Sequence, residues 1–138
     1  MTPAQLELVK ASYASLPGGG EPMAADFYRN LFELDPSTRA LFATDPAVMA
    51  VKFSGELAAI VEAITSYETF APRVGELAVR HNSYGVQPHH YRTVGQALIR
   101  ALAAHLDEDW DEELEAAWRR AYNLVSALMM AAAGDAQR

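Results

Sequence analysis

Residues 74–86 have the sequence VGELAVRHNSYGV, and they contain the histidine on which the interpretation of the whole chain depends. His81 follows Leu77 by four residues, so the two share the apolar face of a predicted helix. That helix should end near Gly85, and the loop before Pro88 leaves room for a flat molecule. The position fits either a buried core histidine or a metal ligand whose second ring nitrogen donates to the carbonyl of Leu77.

Outward from this stretch, the helical period of 3.6 residues dominates and no segment alternates as a strand would. Thr2 followed by Pro3 and Gln5 predicts a capping box, and Asp-Pro pairs at 35–36 and 45–46 predict two further helix starts. The long helices that the pattern bounds best cover residues 46–66, 69–82 and 88–106. We therefore predict an all-α fold of seven to eight helices in one domain over residues 1–138.

The composition excludes several classes of protein. A formal charge of −7 without a cluster of Lys and Arg argues against a nucleic-acid surface. The chain has no cysteine, which excludes disulfides and thiolate sites. The N-terminus has no signal-peptide pattern, and the apolar run at 127–133 is too short to span a bilayer. We expect a cytoplasmic protein.

The other histidines do not predict a metal site. His89 and His90 are adjacent and should point to different faces of a helix start, so they should not share a metal. His105 is isolated near a helix end, and no zinc pattern such as H-E-x-x-H occurs. A porphyrin iron needs only one protein imidazole, which His81 could supply.

Several strings together resemble the bacterial single-domain globins and are similar to the haem domain of flavohaemoglobins. The strings are Phe27-Tyr28-Arg29-Asn30-Leu31-Phe32, Arg39-Ala40-Leu41-Phe42, Arg80-His81-Asn82-Ser83-Tyr84-Gly85-Val86 and His90-Tyr91-Arg92-Thr93-Val94-Gly95. The resemblance covers almost the whole chain and includes the intervals between the strings. It implies a globin fold around a haem pocket.

The resemblance assigns three principal site residues. It implies that His81 is the proximal ligand of the iron of haem b and that Phe42 packs flat on the porphyrin. It implies that Tyr28 donates a hydrogen bond to bound O₂, whose partial negative charge a donor in an apolar pocket stabilises. Without the resemblance, Tyr28 would be interpreted as a core aromatic.

The resemblance also places Met49 where these globins usually carry Gln or His, Phe53 where Leu is more frequent, and Lys52 within reach of a haem propionate. Three interpretations of Met49 stay open. Its side chain forms an apolar wall that excludes water, its sulfur binds the iron as a sixth ligand, or the correspondence is displaced by up to one helical turn.

Four more residues, Leu77, Val86, Tyr91 and Val94, complete the expected cofactor-binding set. Tyr91 stands at the interval of the tyrosine in the proximal triad of flavohaemoglobins, but Ala133 stands where the triad has a glutamate. We therefore expect the proximal histidine to promote O–O bond cleavage only weakly.

These assignments support several functions. The first hypothesis is reversible binding of O₂, with CO and NO as further ligands, for storage or delivery. The second is NO dioxygenation, which needs a partner reductase because no flavin or nicotinamide site is recognised here. The third is sensing or electron transfer with Met49 as sixth ligand, and a haem-free regulatory module is the most distant alternative. The sequence allows a monomer or a homodimer.

Overall fold

The computed structural model describes the backbone of residues 1–42, 45–64, 66–83 and 88–136. It describes their side chains apart from those of 67–69, 79, 81–83, 88 and 132–136. Over these ranges the chain forms six α-helices, two 3-10 helices and no strand, which confirms the predicted all-α class. The α-helices are α1 (Pro3–Ala14), α2 (Gly20–Leu34), α3 (Pro46–Ala63), α4 (Tyr67–Ser83), α5 (Pro88–Leu106) and α6 (Glu112–Ala136). The 3-10 helices are Pro36–Leu41 and Asp107–Asp109.

Side-chain caps begin three of these helices where the sequence predicts them. The Thr2 hydroxyl accepts from the amide of Gln5 at 3.1 Å, and the Gln5 side chain accepts from the Thr2 amide at 3.0 Å. Asp35 accepts from the amide of Ser37 at the 3-10 helix, and Asp45 caps α3 in the same way. Each cap satisfies a backbone donor that the helix itself leaves without a partner.

Two helix boundaries differ from the prediction. Helix α3 ends at Ala63 rather than Ser66, and α4 begins at Tyr67 rather than Thr69. The earlier start follows from a hydrogen bond of 2.9 Å between the amide of Phe70 and the carbonyl of Ser66. Pro72 lies inside both the predicted helix and α4, and its ring removes one backbone hydrogen bond.

The core lies between α2, α3, α4, α5 and α6, with α1 packed against α6. Trp118 of α6 donates from its indole nitrogen to the buried Ser12 hydroxyl of α1 at 2.9 Å. Tyr13 of α1 donates to the carbonyl of Ser54 in α3 at 2.7 Å. Among the helices described, none is long and apolar enough to cross a membrane.

Candidate functional site

An aromatic cluster stands where α2, α3 and the first 3-10 helix meet. The rings of Phe27 and Phe53 stack with centroids 4.3 Å apart and an interplanar angle of 16°. The Tyr28 ring lies edge-on to Phe42 at 5.3 Å and to Phe53 at 5.8 Å. Helical spacing explains the convergence, because consecutive positions of α2 bring Phe27 to the core and Tyr28 to its margin.

This cluster forms one wall of a cavity of about 180 Å³ that extends between the helices. Aliphatic side chains from α3, α4, α5 and α6 supply the remaining walls, among them Leu57, Ile60, Leu77, Leu98 and Val125. Apart from tyrosines and Trp118, the described lining is polar only at Thr38, His90 and Ser126. A cavity of this kind favours a largely apolar ligand that meets few polar groups.

Six of the predicted site residues line this cavity: Tyr28, Phe42, Phe53, Leu77, Tyr91 and Val94. Met49 is buried near the start of α3, with 7% of its surface exposed, but it is not among the residues that line the cavity. Lys52 is exposed on the same helix and also lies outside the lining. The structure therefore does not bring Met49 or Lys52 to the cavity.

The position of His81 is given by its backbone. It lies in the last turn of α4, four residues after the cavity-lining Leu77 and three after the fully buried Ala78. Residues at this spacing follow one stripe of a helix, so His81 extends the stripe of Leu77. The His81 side chain lies outside the described residues, as does Val86. Ala133 belongs to α6, and its side chain is likewise outside the description.

The Tyr28 hydroxyl makes no hydrogen bond to the protein in the part of the chain that is described, although the side chain borders an apolar cavity. Burial raises its pKa to about 12, because the phenolate is poorly solvated there. The hydroxyl therefore stays protonated at neutral pH and keeps a proton to donate. A half-buried hydroxyl beside an apolar cavity can donate its proton to a ligand or to water.

Tyr122 is a cavity residue that the sequence analysis did not assign to the site. Its hydroxyl donates to the backbone carbonyl of Tyr91, which joins α6 to the first turns of α5. Burial raises the pKa of both tyrosines. Gly95, one turn after Tyr91, lies against the Tyr122 ring. In the sequence, this glycine was the one available indication that another side chain packs closely on α5 at this point.

One expectation about the histidines is wrong. The rings of His89 and His90 do not point away from each other: their centroids are 4.1 Å apart. Consecutive residues of a helix are rotated by about 100° around its axis, which should direct their side chains apart. At the start of α5 the two side chains nevertheless incline toward each other. His90 is buried and lines the cavity, whereas His89 is exposed.

The lining fits a haem group. Phe42, Phe53 and Tyr28 supply aromatic surface from the α2–α3 side, and Leu77 and Val94 supply aliphatic surface from α4 and α5. The Tyr28 hydroxyl, for which no described residue is an acceptor, could donate to a small ligand beside such a group. The backbone of His81 ends the α4 wall, where an imidazole is the type of ligand that haem iron takes.

Comparisons with known proteins agree with this geometry. Residues 25–129 match the model of the Globin family. Flavohemoproteins of Deinococcus radiodurans and Pseudomonas aeruginosa are 34% and 33% identical over 94% of the chain. The chain spans about a third of the length of these relatives, 33% and 34% respectively. An engineered carbene transferase, described as a putative nitric oxide dioxygenase from Rhodothermus marinus, superposes with a TM-score of 0.89 at 28% identity, covering 99% of this chain and 96% of that one.

Proposed function

This chain belongs to the globin family, which implies a haem cofactor, and on that premise we propose that it binds O₂ reversibly at haem b held in the cavity. The observation that carries the proposal is the hydroxyl of Tyr28 at a largely apolar cavity, where none of the described residues accepts its hydrogen bond. CO and NO would enter the same space. When bound, haem supplies a ferrous iron with one coordination position open to a diatomic gas.

Different residues of the chain would bind the haem and the gas. His81 would hold the iron from the end of α4. Phe42 and Phe53 would pack on the porphyrin and exclude water from its distal side. The Tyr28 hydroxyl would donate to the gas, and the surrounding low dielectric would strengthen that hydrogen bond.

The two aromatic contacts of Tyr28, at 5.3 Å with Phe42 and 5.8 Å with Phe53, restrict the ring that carries this donor. A restricted ring loses less conformational freedom when its hydroxyl binds a ligand. The packing of the cluster thus supports retention of O₂, which carries partial negative charge once it is bound.

An absorption spectrum of the haem-loaded protein in ferric, dithionite-reduced, CO-exposed and O₂-exposed forms tests the proposal. We expect a five-coordinate ferrous form that binds both gases, and loss of haem in His81→Ala. His105→Ala is the matched control, since it removes an imidazole from the far end of α5. Failure of the wild-type protein to take up haem would contradict the proposal.

A second function is favoured by the names of the relatives and of the structural neighbour: NO dioxygenation, in which O₂, NO and one electron yield nitrate. The electron would come from an NAD(P)H-dependent flavin reductase, the kind of partner that the flavohemoprotein relatives suggest. Sustained NO consumption under air with such a reductase and NADH would support this function. A single turnover without further consumption would limit the protein to gas binding.

We extend the proposal to the setting of the protein. Residues 1–138 would form one globin domain that works in the cytoplasm, in keeping with the cysteine-free composition. It would be a monomer or a homodimer that pairs through α6, where Leu124 and Met130 are exposed. Sedimentation velocity distinguishes the two states.

A further inference from the structure

Three side chains of types that can bind a metal ion lie together, and one of them, His90, lines the cavity. Asp35 follows the last residue of α2, and His89 and His90 are the second and third residues of α5. Asp35 is more than fifty positions from the two histidines in sequence, and the packing of α5 along α2 brings it close to them. One ligand atom from each of the three lies within 4.8 Å of the other two.

The two imidazoles are arranged as a pair. Their centroids are 4.1 Å apart and their planes are inclined by 51°. His90 is 8% exposed and borders the cavity, whereas His89 faces solvent. A metal ion bound to both would therefore be reachable from solvent through His89 and would contact the cavity wall through His90.

The third group, Asp35, is fixed by its role as a cap. One of its oxygens, Oδ1, accepts from the Ser37 hydroxyl at 2.5 Å and from the Ser37 amide at 3.1 Å. These bonds leave Oδ2 available to a cation and hold the carboxylate in place. Such bonds from neighbouring groups orient a ligating carboxylate and raise the affinity of a metal site.

The directions of two pKa shifts favour the forms that bind metals. The hydrogen bond from the Ser37 side chain lowers the pKa of Asp35, and the neighbouring imidazoles lower it further. Burial and His89 lower the pKa of His90, against an opposing contribution from Asp35. A carboxylate and a neutral imidazole are the forms that bind metals.

We propose that Asp35, His89 and His90 bind one divalent transition-metal ion of the Zn²⁺ type, separately from haem. Two imidazoles and one carboxylate suit Zn²⁺ and related ions better than Ca²⁺ or Mg²⁺, which prefer oxygen. Tetrahedral bonds of about 2.0–2.2 Å place ligand atoms roughly 3.3–3.6 Å apart. Side-chain rotations would bring together the three atoms, which lie within 4.8 Å of one another. Three protein ligands leave a coordination position for water.

The other described imidazole with an acidic neighbour shows why this cluster differs. His105 lies 2.5 Å from Asp26, but Arg29 also pairs with Asp26 at 2.6 Å. A guanidinium at that carboxylate opposes a cation, and only one imidazole is present. His105→Ala is therefore the matched control for a histidine variant at the proposed site.

Calorimetric titration of the haem-loaded protein with Zn²⁺ near neutral pH tests the proposal, while the visible spectrum monitors the haem. We expect one Zn²⁺ per chain and an unchanged spectrum. His89→Ala and Asp35→Asn should each weaken binding at least about tenfold, while His105→Ala should retain the wild-type affinity. Since His89 is exposed, its variant should fold normally, and circular dichroism verifies this.

Thermal unfolding in the presence of Zn²⁺ tests the same site without relying on the titration. Zn²⁺ should raise the midpoint of thermal unfolding in the wild-type protein and in His105→Ala, but not in His89→Ala. Wild-type affinity in both His89→Ala and Asp35→Asn, or absence of binding to wild type, would overturn the proposal. If the protein took up no haem, the gas-binding function would fail, whereas the same Zn²⁺ titration would still decide this site.

Discussion

Gly95 lies directly against the ring of Tyr122, so closely that a β-carbon on Gly95 would stand 2.6 Å from Cε1 of the tyrosine. The ring cannot move away freely, because its hydroxyl donates to the backbone carbonyl of Tyr91. Helices α5 and α6 thus meet at a contact that only glycine permits.

Gly95→Ala should destabilise the protein by about 1–3 kcal/mol, the range for overpacking of a well-packed interior. Urea unfolding followed by circular dichroism measures the change. Gly55→Ala in α3 is the matched control, since nothing lies within 4 Å of a β-carbon there. That variant should gain about 0.5–1 kcal/mol from helix propensity. Equal stability of the two variants would contradict the close contact.

Ser12→Ala should lower stability by about 1–3 kcal/mol, because it leaves the buried indole N–H of Trp118 without its acceptor. Urea unfolding is again the measurement. Ser54→Ala removes a hydroxyl that bonds only within its own exposed turn, and it should change stability by less than about 0.5 kcal/mol. A neutral effect of Ser12→Ala would show that the indole finds another acceptor.

Tyr28→Phe should speed O₂ dissociation about tenfold or more, since the lost hydrogen bond to a partly charged ligand is worth about 1.5–3 kcal/mol. CO carries less negative charge and its dissociation should change less. Stopped-flow displacement measures both rates. Tyr13→Phe, which removes a hydroxyl that bonds to the carbonyl of Ser54, should leave both rates unchanged. An unchanged O₂ rate in Tyr28→Phe would exclude its hydroxyl as the donor.

Met49→Leu should leave the ferrous spectrum and the gas-binding rates unchanged, because Met49 does not line the cavity. A volume-conserving exchange of this kind costs less than about 1.5 kcal/mol in stability. A six-coordinate ferrous spectrum that disappears in the variant would instead make the Met49 sulfur a ligand. Leu57→Met, at a residue that does line the cavity, serves as the reciprocal control.

Stability should decline at alkaline pH. The pKa of Tyr28 is about 12 in the folded protein and about 10 when unfolded, so the neutral phenol is favoured by folding. The resulting stabilisation is complete below pH 10 and is lost as the pH rises through about 12. Urea unfolding between pH 9 and pH 12 measures it. Tyr28→Phe should lose less stability over this range than wild type, and an equal loss would contradict the shifted pKa of Tyr28.

Local rules account for most of what the sequence predicted. Thr2 and Asp45 cap their helices as expected, because a cap depends only on residues two or three positions away. Tyr28, Phe42 and Phe53 come together beside the cavity. The position of Tyr28 fits both the core aromatic that the helical period predicts and the pocket residue that the resemblance implies.

Contacts between distant segments are where prediction fell short. Helical geometry separates His89 from His90, but the side-chain conformations at the first turn bring the rings together. No local pattern connects them with Asp35, since that contact depends on how α5 packs along α2. For the same reason, Met49 can satisfy a spacing in sequence and still lie outside the cavity.

The bond between Ser12 and Trp118 joins residues 106 positions apart, and it has a consequence for biosynthesis. Helix α1 is synthesised before α6, yet most of the surface it packs on belongs to α6. The native surroundings of the buried Val9 are therefore incomplete until α6 has been made. Native docking of α1 must wait for the synthesis of α6, and a nascent chain arrested before α6 exposes an apolar surface for chaperones to cover.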